Sequence, residues 1–250
     1  PYILGISSGA SLGATSAILL GVGAALGPNF VGIAAFIGAF AISLAVLFIS
    51  NLGGRSNSMK LLLAGMALSA VCGAFSSFIV YFANNKEGMQ TIAYWMMGSL
   101  AGAKWGELAI IAPIIMASVI FFWTQSRVLN LMLLGDESAI TMGTDLHAYR
   151  QWYLLISSLI VGFAVYSAGM IGFVGLIIPH VIRMFTGSDH KRLIPVSALT
   201  GAIFLVICDG LCRIIIPHTE LPIGILISMI GAPSFIYLMI KKTYGFGGND

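Results

Sequence analysis

Asp209 and Arg213 stand one helical turn apart, the one opposite-charge pair inside an apolar run of this chain. At that spacing a carboxylate and a guanidinium share a helix face, where they can neutralise each other or be offered to a partner. A second constellation is hydroxylic: Ser69, Ser76 and Ser77, with Gly73 between them, are polar without the cost of charge. A third is LLGDESAITMG within the polar stretch Ser126 to Arg150, where Asp136 and Glu137 open a segment bounded by Gly135 and Gly143. The remaining reactive side chains point to little chemistry. Cys72, Cys208 and Cys212 fall in apolar runs without a CxxC pair and read as small core residues. His147, His180, His190 and His218 have no partner at metal-ligand spacing, so neither a metal site nor a cofactor is expected. No GxxxxGK[ST] occurs, so the chain cannot itself cradle ATP phosphates in that way, and no catalytic residues or enzyme activity of its own are expected. If ATP energises its work, another subunit must supply the site.

The elements carrying these groups follow from composition. Hydrophobic residues make up 58% of the 250, charged residues 8%, and the mean hydropathy is +0.99, which excludes an ordinary soluble domain. A bilayer core of about 30 Å takes about 20 helical residues per crossing. Eight apolar runs approach that length, at 5–25, 30–50, 61–82, 107–125, 151–169, 172–185, 193–215 and 223–240. The stretch 151–185 is too long for one span, and its break at Ala168 to Gly172 predicts two short, close-packed ones. Gln90 to Leu100 carries Tyr94 and Trp95, side chains that favour headgroups, and is expected to lie flat on the membrane surface.

Alternating the runs places Arg55, Lys60, Arg127, Arg150, Arg183, Lys191, Arg192, Lys241 and Lys242 on one side, and Lys86, Lys104 and Arg213 on the other. The richer side is cytoplasmic by the positive-inside rule, which puts both ends of the chain and the 126–150 loop inside. The net charge of +3 is therefore topological and implies no nucleic acid. Pro1 lies directly ahead of a span with no Met or charged leader, so a fragment that begins partway through its protein is expected.

Small residues describe the packing. Gly5, Gly9, Gly13, Ala17 and Gly21 recur at every fourth position, as do Gly65, Ser69, Gly73 and Ser77, flanked by Ala70 and Ala74. Such stripes let backbones approach closely; the alternative for the second is a hydroxyl face bordering a solute pathway. From Asp136, DESAITM forms about two helical turns, with acids at the positive end of the dipole and Gly143 as the stop. A short helix held between spans can pass a push to them, the alternative being a merely solvated loop. An ion-coupled transporter would need ionisable groups near the midplane, and very few are present.

In order along the chain, PYILGISSGASLGA, LLLAGMALSA, YWMMGSLAG, LNLMLLGDESAITMG, GMIGFVGLIIPHVIRMFTGSDHKRLIP and ELPIGILISMIGAPSFIYLM resemble the blocks of the FecCD-type permeases, the membrane subunits of ABC importers for iron-siderophores, haem and cobalamin. The resemblance covers essentially the whole chain. It implies an all-α, polytopic transmembrane bundle of ten spans, of which residues 1–250 would be one permease domain without the first two. It also implies a multi-pass protein of the bacterial cytoplasmic (inner) membrane, set in lipid and paired with a second permease, identical or related. Its other implied partners are ABC ATPase subunits and an extracytoplasmic solute-binding protein.

Residue by residue, the resemblance assigns ATPase coupling to Gly135, Asp136, Glu137, Ala139 and Gly143 within the 126–150 loop. Ser69, Gly73, Ser76 and Ser77 would line the pathway, and Ser58 and Met59 would gate it at the cytoplasmic end. Arg213 would meet a carboxylate of the docked binding protein. The cargo implied is a bulky metal chelate, an iron(III)-siderophore first and haem or cobalamin as alternatives. A free-metal ABC permease, an ion-coupled secondary transporter and a structural membrane scaffold are the remaining readings.

Overall fold

A computed structural model describes residues 4–27, 29–52, 58–215 and 219–241. Among these, every regular element is helical: α1 (Ile6–Leu20), α2 (Phe30–Asn51), α3 (Ser58–Ala83), α4 (Lys86–Met97), α5 (Trp105–Thr124), α6 (Ser126–Leu133), α7 (Asp136–Thr141), α8 (Leu146–Ala168), α9 (Val174–Thr186), α10 (His190–Ile215) and α11 (Ile223–Lys241), with a short 3₁₀ turn at Ala24–Leu26. Five of them, α2, α3, α5, α8 and α10, are long and apolar enough to cross a membrane, and α1, α9 and α11 are shorter apolar helices. These helices stand where the apolar runs were expected. The fold is the all-helical membrane bundle that the composition requires.

Glycine sets the tightest contact. A Cβ on Gly9 would press on the Gly38 carbonyl, one on Gly13 on the Ala34 carbonyl and one on Gly38 on the Gly9 carbonyl, so α1 and α2 touch backbone to backbone. The cluster above them is small-residue core: Ile6, Ala10, Ala14, Ala35 and Ala39 are buried together with Val165 of α8. Helix α1 also starts deep. A Cβ on Gly5 would lie 2.9 Å from the Gly65 carbonyl oxygen and 3.1 Å from Ser69 Oγ, seven and more residues into α3, or about 10 Å along its axis.

Two expectations are corrected. Helix α4 does not lie flat: a Cβ on Gly88 would be 2.5 Å from Leu19 at the end of α1, Ile92 is buried, and Ser11 Oγ faces Met96 Sδ at 4.0 Å. The helix therefore runs antiparallel to α1 and descends beside it, because its apolar face with Trp95 finds the α1 core a better solvent than the interface. The break after α8 lies where expected, with Gly169 at φ 68° and Phe173 at φ 64°. Yet α9 packs on α10, through Ile178, Ile182 and Leu193, and not on α8.

Cross-links assign the two ends of the bundle. At one end Tyr153 Oη donates to Gln125 Oε1 (3.2 Å), Trp123 Nε1 to the Lys191 carbonyl (2.9 Å), and Leu47, Leu61 and Leu154 share a core. At the other, Asn29 Nδ2 donates to Glu107 Oε1 (2.7 Å) and Tyr166 Oη (3.1 Å). Lys60, Arg127, Arg150, Arg183, Lys191 and Arg192 accordingly gather at the first end, and Lys86, Lys104 and Arg213 at the second. Arg55, Lys242 and the Lys241 side chain lie outside the described set.

Candidate functional site

A cavity of about 790 Å³ opens between α1, α3, α4 and the segment after α8. Ser7, Ser8, Ser11 and Thr15 line it from α1, Gly73, Ser76 and Ser77 from α3, and Met89 and Met96 from α4, with Met170 at the break. No Asp, Glu, Lys, Arg or His is among the described residues of its wall. Such a surface offers single hydroxyl hydrogen bonds, one carboxamide at Asn84 and polarizable thioethers, none of which carries a charge to hold a solute tightly.

The expected pathway residues divide. Gly73 has open space where a Cβ would stand, Ser77 is exposed, and Ser76 Oγ is shielded from solvent with no hydrogen-bond partner. Ser69 does not line the cavity; its hydroxyl folds back on the Gly65 carbonyl at 2.8 Å and it packs beside Gly5. Ser58 and Met59 form the first turn of α3, with Met59 63% exposed, about 21 Å along the helix from Gly73. They lie at the Lys/Arg-rich end, away from the cavity.

The α1 and α4 linings escaped the sequence reading. A signal was there, because Ser7, Ser11 and Thr15 recur at four-residue intervals on α1. The same helix also carries the glycine stripe, whose stronger periodicity points to packing. Met170 could not have been found, since it reaches the wall only through the chain reversal at Gly169 and Phe173.

The polar loop folds into α6 and α7. Helix α7 spans Asp136–Thr141 and ends at Gly143, whose φ of 78° lets the Thr144 amide donate to the Ala139 carbonyl at 2.9 Å. That six-to-one bond is the Schellman stop, and it explains why glycine stands there. Gly135, at φ 88°, makes the matching turn before the helix. Both glycines have open space beside them, whereas Ala139 is fully buried within its own chain. Its side chain therefore packs inside the chain, while the two glycines flank it with open space. The side chains of Asp136 and Glu137 lie outside the described set.

Asn130 of α6 clips this loop onto the bundle. Its Nδ2 donates to Asp189 Oδ1 at 2.8 Å, and its Oδ1 receives the His190 amide at 2.9 Å and faces His190 Nδ1 at 2.7 Å. The Asn130 hydrogen bond, then the Lys191 amide, hold the Asp189 carboxyl below the usual carboxylate range. The sequence reading passed over this junction, because its partners are about sixty residues apart.

At the opposite end, Arg213 Nε donates to Asp209 Oδ2 at 2.9 Å, and an Arg213 guanidinium nitrogen lies 3.7 Å from Glu220 Oε1. The arginine remains 48% exposed, so the self-neutralising pair and an outward-facing cation coexist. Glu220 was not anticipated.

A helical bundle with an uncharged, hydroxyl-lined cavity at one level and a short polar-loop helix at its Lys/Arg-rich end has the organisation of a membrane permease. The model of the FecCD transport family matches residues 1–241, and the chain belongs to that family. It is 39% identical over 246 residues to the hemin transport system permease protein HmuU of Yersinia pestis, covering 97% of this chain and 72% of that one. It is 39% identical over 239 residues to the cobalamin import system permease protein BtuC of Halobacterium salinarum (96% and 63%), and 37% identical over 243 residues to the vitamin B12 import system permease protein BtuC of Salmonella paratyphi A (97% and 73%). The chain thus spans 63% to 73% of the length of these relatives. A solved structure described as a metal-chelate type ABC transporter in an inward-facing conformation superposes with a TM-score of 0.87 at 31% identity, over 97% of this chain and 76% of that one. The class is therefore the permease subunit of an ABC importer, a multi-pass component of the cytoplasmic (inner) membrane. Such permeases work with ATPase and binding-protein partners.

Proposed function

We propose that this chain forms one wall of the translocation path for a bulky metal chelate. The observation that carries the reading is the cavity at α1, α3 and α4, whose hydroxyl and thioether wall suits passage over capture. A large polar cargo must leave the site it enters, so a wall that gripped it tightly would trap it. The uncharged wall also favours this reading over an ion-coupled carrier, which needs a group that ligates the ion or changes charge. Helix α3 exposes Met66, Phe75, Phe78 and Phe82 beyond the cavity, an apolar face suited to a second permease subunit.

ATP-driven closure of two partner subunits would move α7 through Gly135, Asp136, Glu137 and Gly143, with Ala139 holding that helix to its own chain. The motion would tilt the spans around the cavity, and Ser58 and Met59 would gate the far end of α3. Haem, cobalamin and an iron(III)-siderophore are the cargo candidates; the named relatives support the first two. The test is reconstitution of the full-length permease with its ATPase and binding protein in vesicles, after titrating the binding protein with each chelate. Uptake of one chelate that needs ATP is expected. Uptake driven by a proton or sodium gradient without the ATPase would overturn the reading.

Arg213 is proposed to meet a carboxylate of the docked binding protein. Arg213→Glu is expected to weaken docking while leaving basal ATP turnover unchanged, with at most a small loss of subunit stability from the like charges of Asp209 and Glu220 beside it. Unaltered docking affinity would remove Arg213 from the docking surface.

A further inference from the structure

A second groove, of about 360 Å³, lies between α5, α6, α9 and α10 at the Lys/Arg-rich end of the bundle, apart from the hydroxyl-lined cavity. It is graded. Arg183 and His190 stand at one end, whereas Val119, Pro179 and Ile194 make apolar walls further in. Each helix runs in the same sense: Phe122 to Val119 on α5, Arg183 to Pro179 on α9, and His190 to Ser197 on α10 all pass from the end of the bundle inward. The last of these covers seven residues, about 10 Å. Ser197 lines the groove with a hydroxyl that is shielded from solvent and has no hydrogen-bond partner.

Its level is marked independently. Trp123 donates its indole N–H to the Lys191 carbonyl at 2.9 Å beside this mouth, and tryptophan with its N–H so placed belongs to the headgroup region. The charges there are unbalanced. Arg183 makes no ion pair or hydrogen bond among the described residues, and Lys191 and Arg192 follow His190 in the first turn of α10. The neighbouring acid, Asp189, held through Oδ1 by Asn130 Nδ2 and by the Lys191 amide at 3.1 Å, stays ionised and offsets one of these three cations, which leaves an excess of positive charge.

We propose that this groove is a binding site for an anionic glycerophospholipid of the leaflet at the Lys/Arg-rich end. The phosphate sits on Arg183 with Lys191 and Arg192 nearby, the first acyl segment lies along Val119, Pro179 and Ile194, and the Ser197 hydroxyl donates to an ester oxygen. A free anion would use only the mouth and leave the apolar walls and Ser197 unserved. A zwitterionic lipid such as phosphatidylcholine would bring a phosphate to Arg183 together with a quaternary ammonium that the neighbouring cations repel. The site borders the Asn130 clip, so its occupant touches the junction between the α6–α7 loop and the bundle. This inference is independent of the cargo.

The test uses the full-length permease in its transporter complex, exchanged into phosphatidylcholine nanodiscs with and without phosphatidylglycerol and then extracted for mass spectrometry of retained lipid. Phosphatidylglycerol is expected to be retained over phosphatidylcholine. Arg183→Ala should lower its retention about fivefold, the worth of one basic residue at an anionic surface. Ser197→Phe, which fills the inner groove, should abolish it, and Arg183→Lys should restore most of it. Arg183 is exposed and unpaired, so its variants are expected to melt as the parent does in phosphatidylcholine alone, which separates lost binding from lost fold. Equal retention of both lipids, unchanged retention in Arg183→Ala, or displacement of phosphatidylglycerol by glycerol 3-phosphate would each overturn the proposal.

Discussion

Gly13→Ala is expected to destabilise the subunit by roughly 1–3 kcal/mol, the range for overpacking a close-packed interior. In a typical helix the same exchange stabilises by about 0.5–1 kcal/mol, so the sign is the diagnostic. The reason is what the new methyl would meet. All three nearest atoms to a Cβ on Gly13 belong to the backbone of Ala34 and Ala35, and backbone cannot swing aside as a side chain can. The α1–α2 pair would have to separate, and the core of Ile6, Ala10, Ala35 and Ala39 rests on that pair. Gly13→Leu is expected to leave no folded subunit. Gly201→Ala supplies the contrast: its nearest neighbour would be Ile178 Cγ2 at 4.0 Å, so it should be neutral or mildly stabilising. Melting curves of the purified subunit in detergent decide this. A Gly13→Ala protein as stable as its parent would mean that α1 and α2 do not touch along this face.

Gly143→Val is expected to abolish uptake and the coupling of ATP turnover to it, while leaving the subunit in the membrane at normal abundance. Valine at φ 78° costs upward of about 1–2 kcal/mol, because its Cβ crowds the following carbonyl and its branch restricts it further. The strain falls on a six-residue helix whose end depends on the Thr144 to Ala139 bond, so α7 loses its stop while the spans keep theirs. Gly143→Asn should recover much of the function, since asparagine tolerates the left-handed region. That rescue separates backbone conformation from a simple need for space. Full uptake by the valine variant would show that α7 does not carry the drive; equal failure of both variants would favour room for a docked partner over the turn.

The difference between these sites mirrors what could be read from the chain. The spans were legible because twenty-residue apolar runs have one low-energy state in a bilayer, the helix that satisfies its own backbone. The stop at Gly143 and the break at Gly169 were legible too, because glycine after a helical pattern marks positive φ. The small-residue stripe of α1 announced close packing, but not that α2 would be its partner. Helix α4 was misplaced because amphipathicity describes a face and not what covers it. The family pattern marks Ala139 as a position in the coupling segment, but only the structure shows that its side chain is buried within its own chain.

Sequence by itself determined the membrane class, the helix positions, the charge asymmetry of the two ends and the family blocks, all of which are local or summed properties of the chain. Tertiary structure alone decided that α1 begins inside the bundle, that Ser7, Ser11 and Thr15 join Ser76 and Ser77 at one cavity while Ser69 turns away, and that Asn130 reaches Asp189 and His190. The physical reason is rotation about the helix axis. A helix pattern fixes which residues share a face, but which face meets a neighbour depends on packing between segments far apart in the chain, and no single segment encodes that.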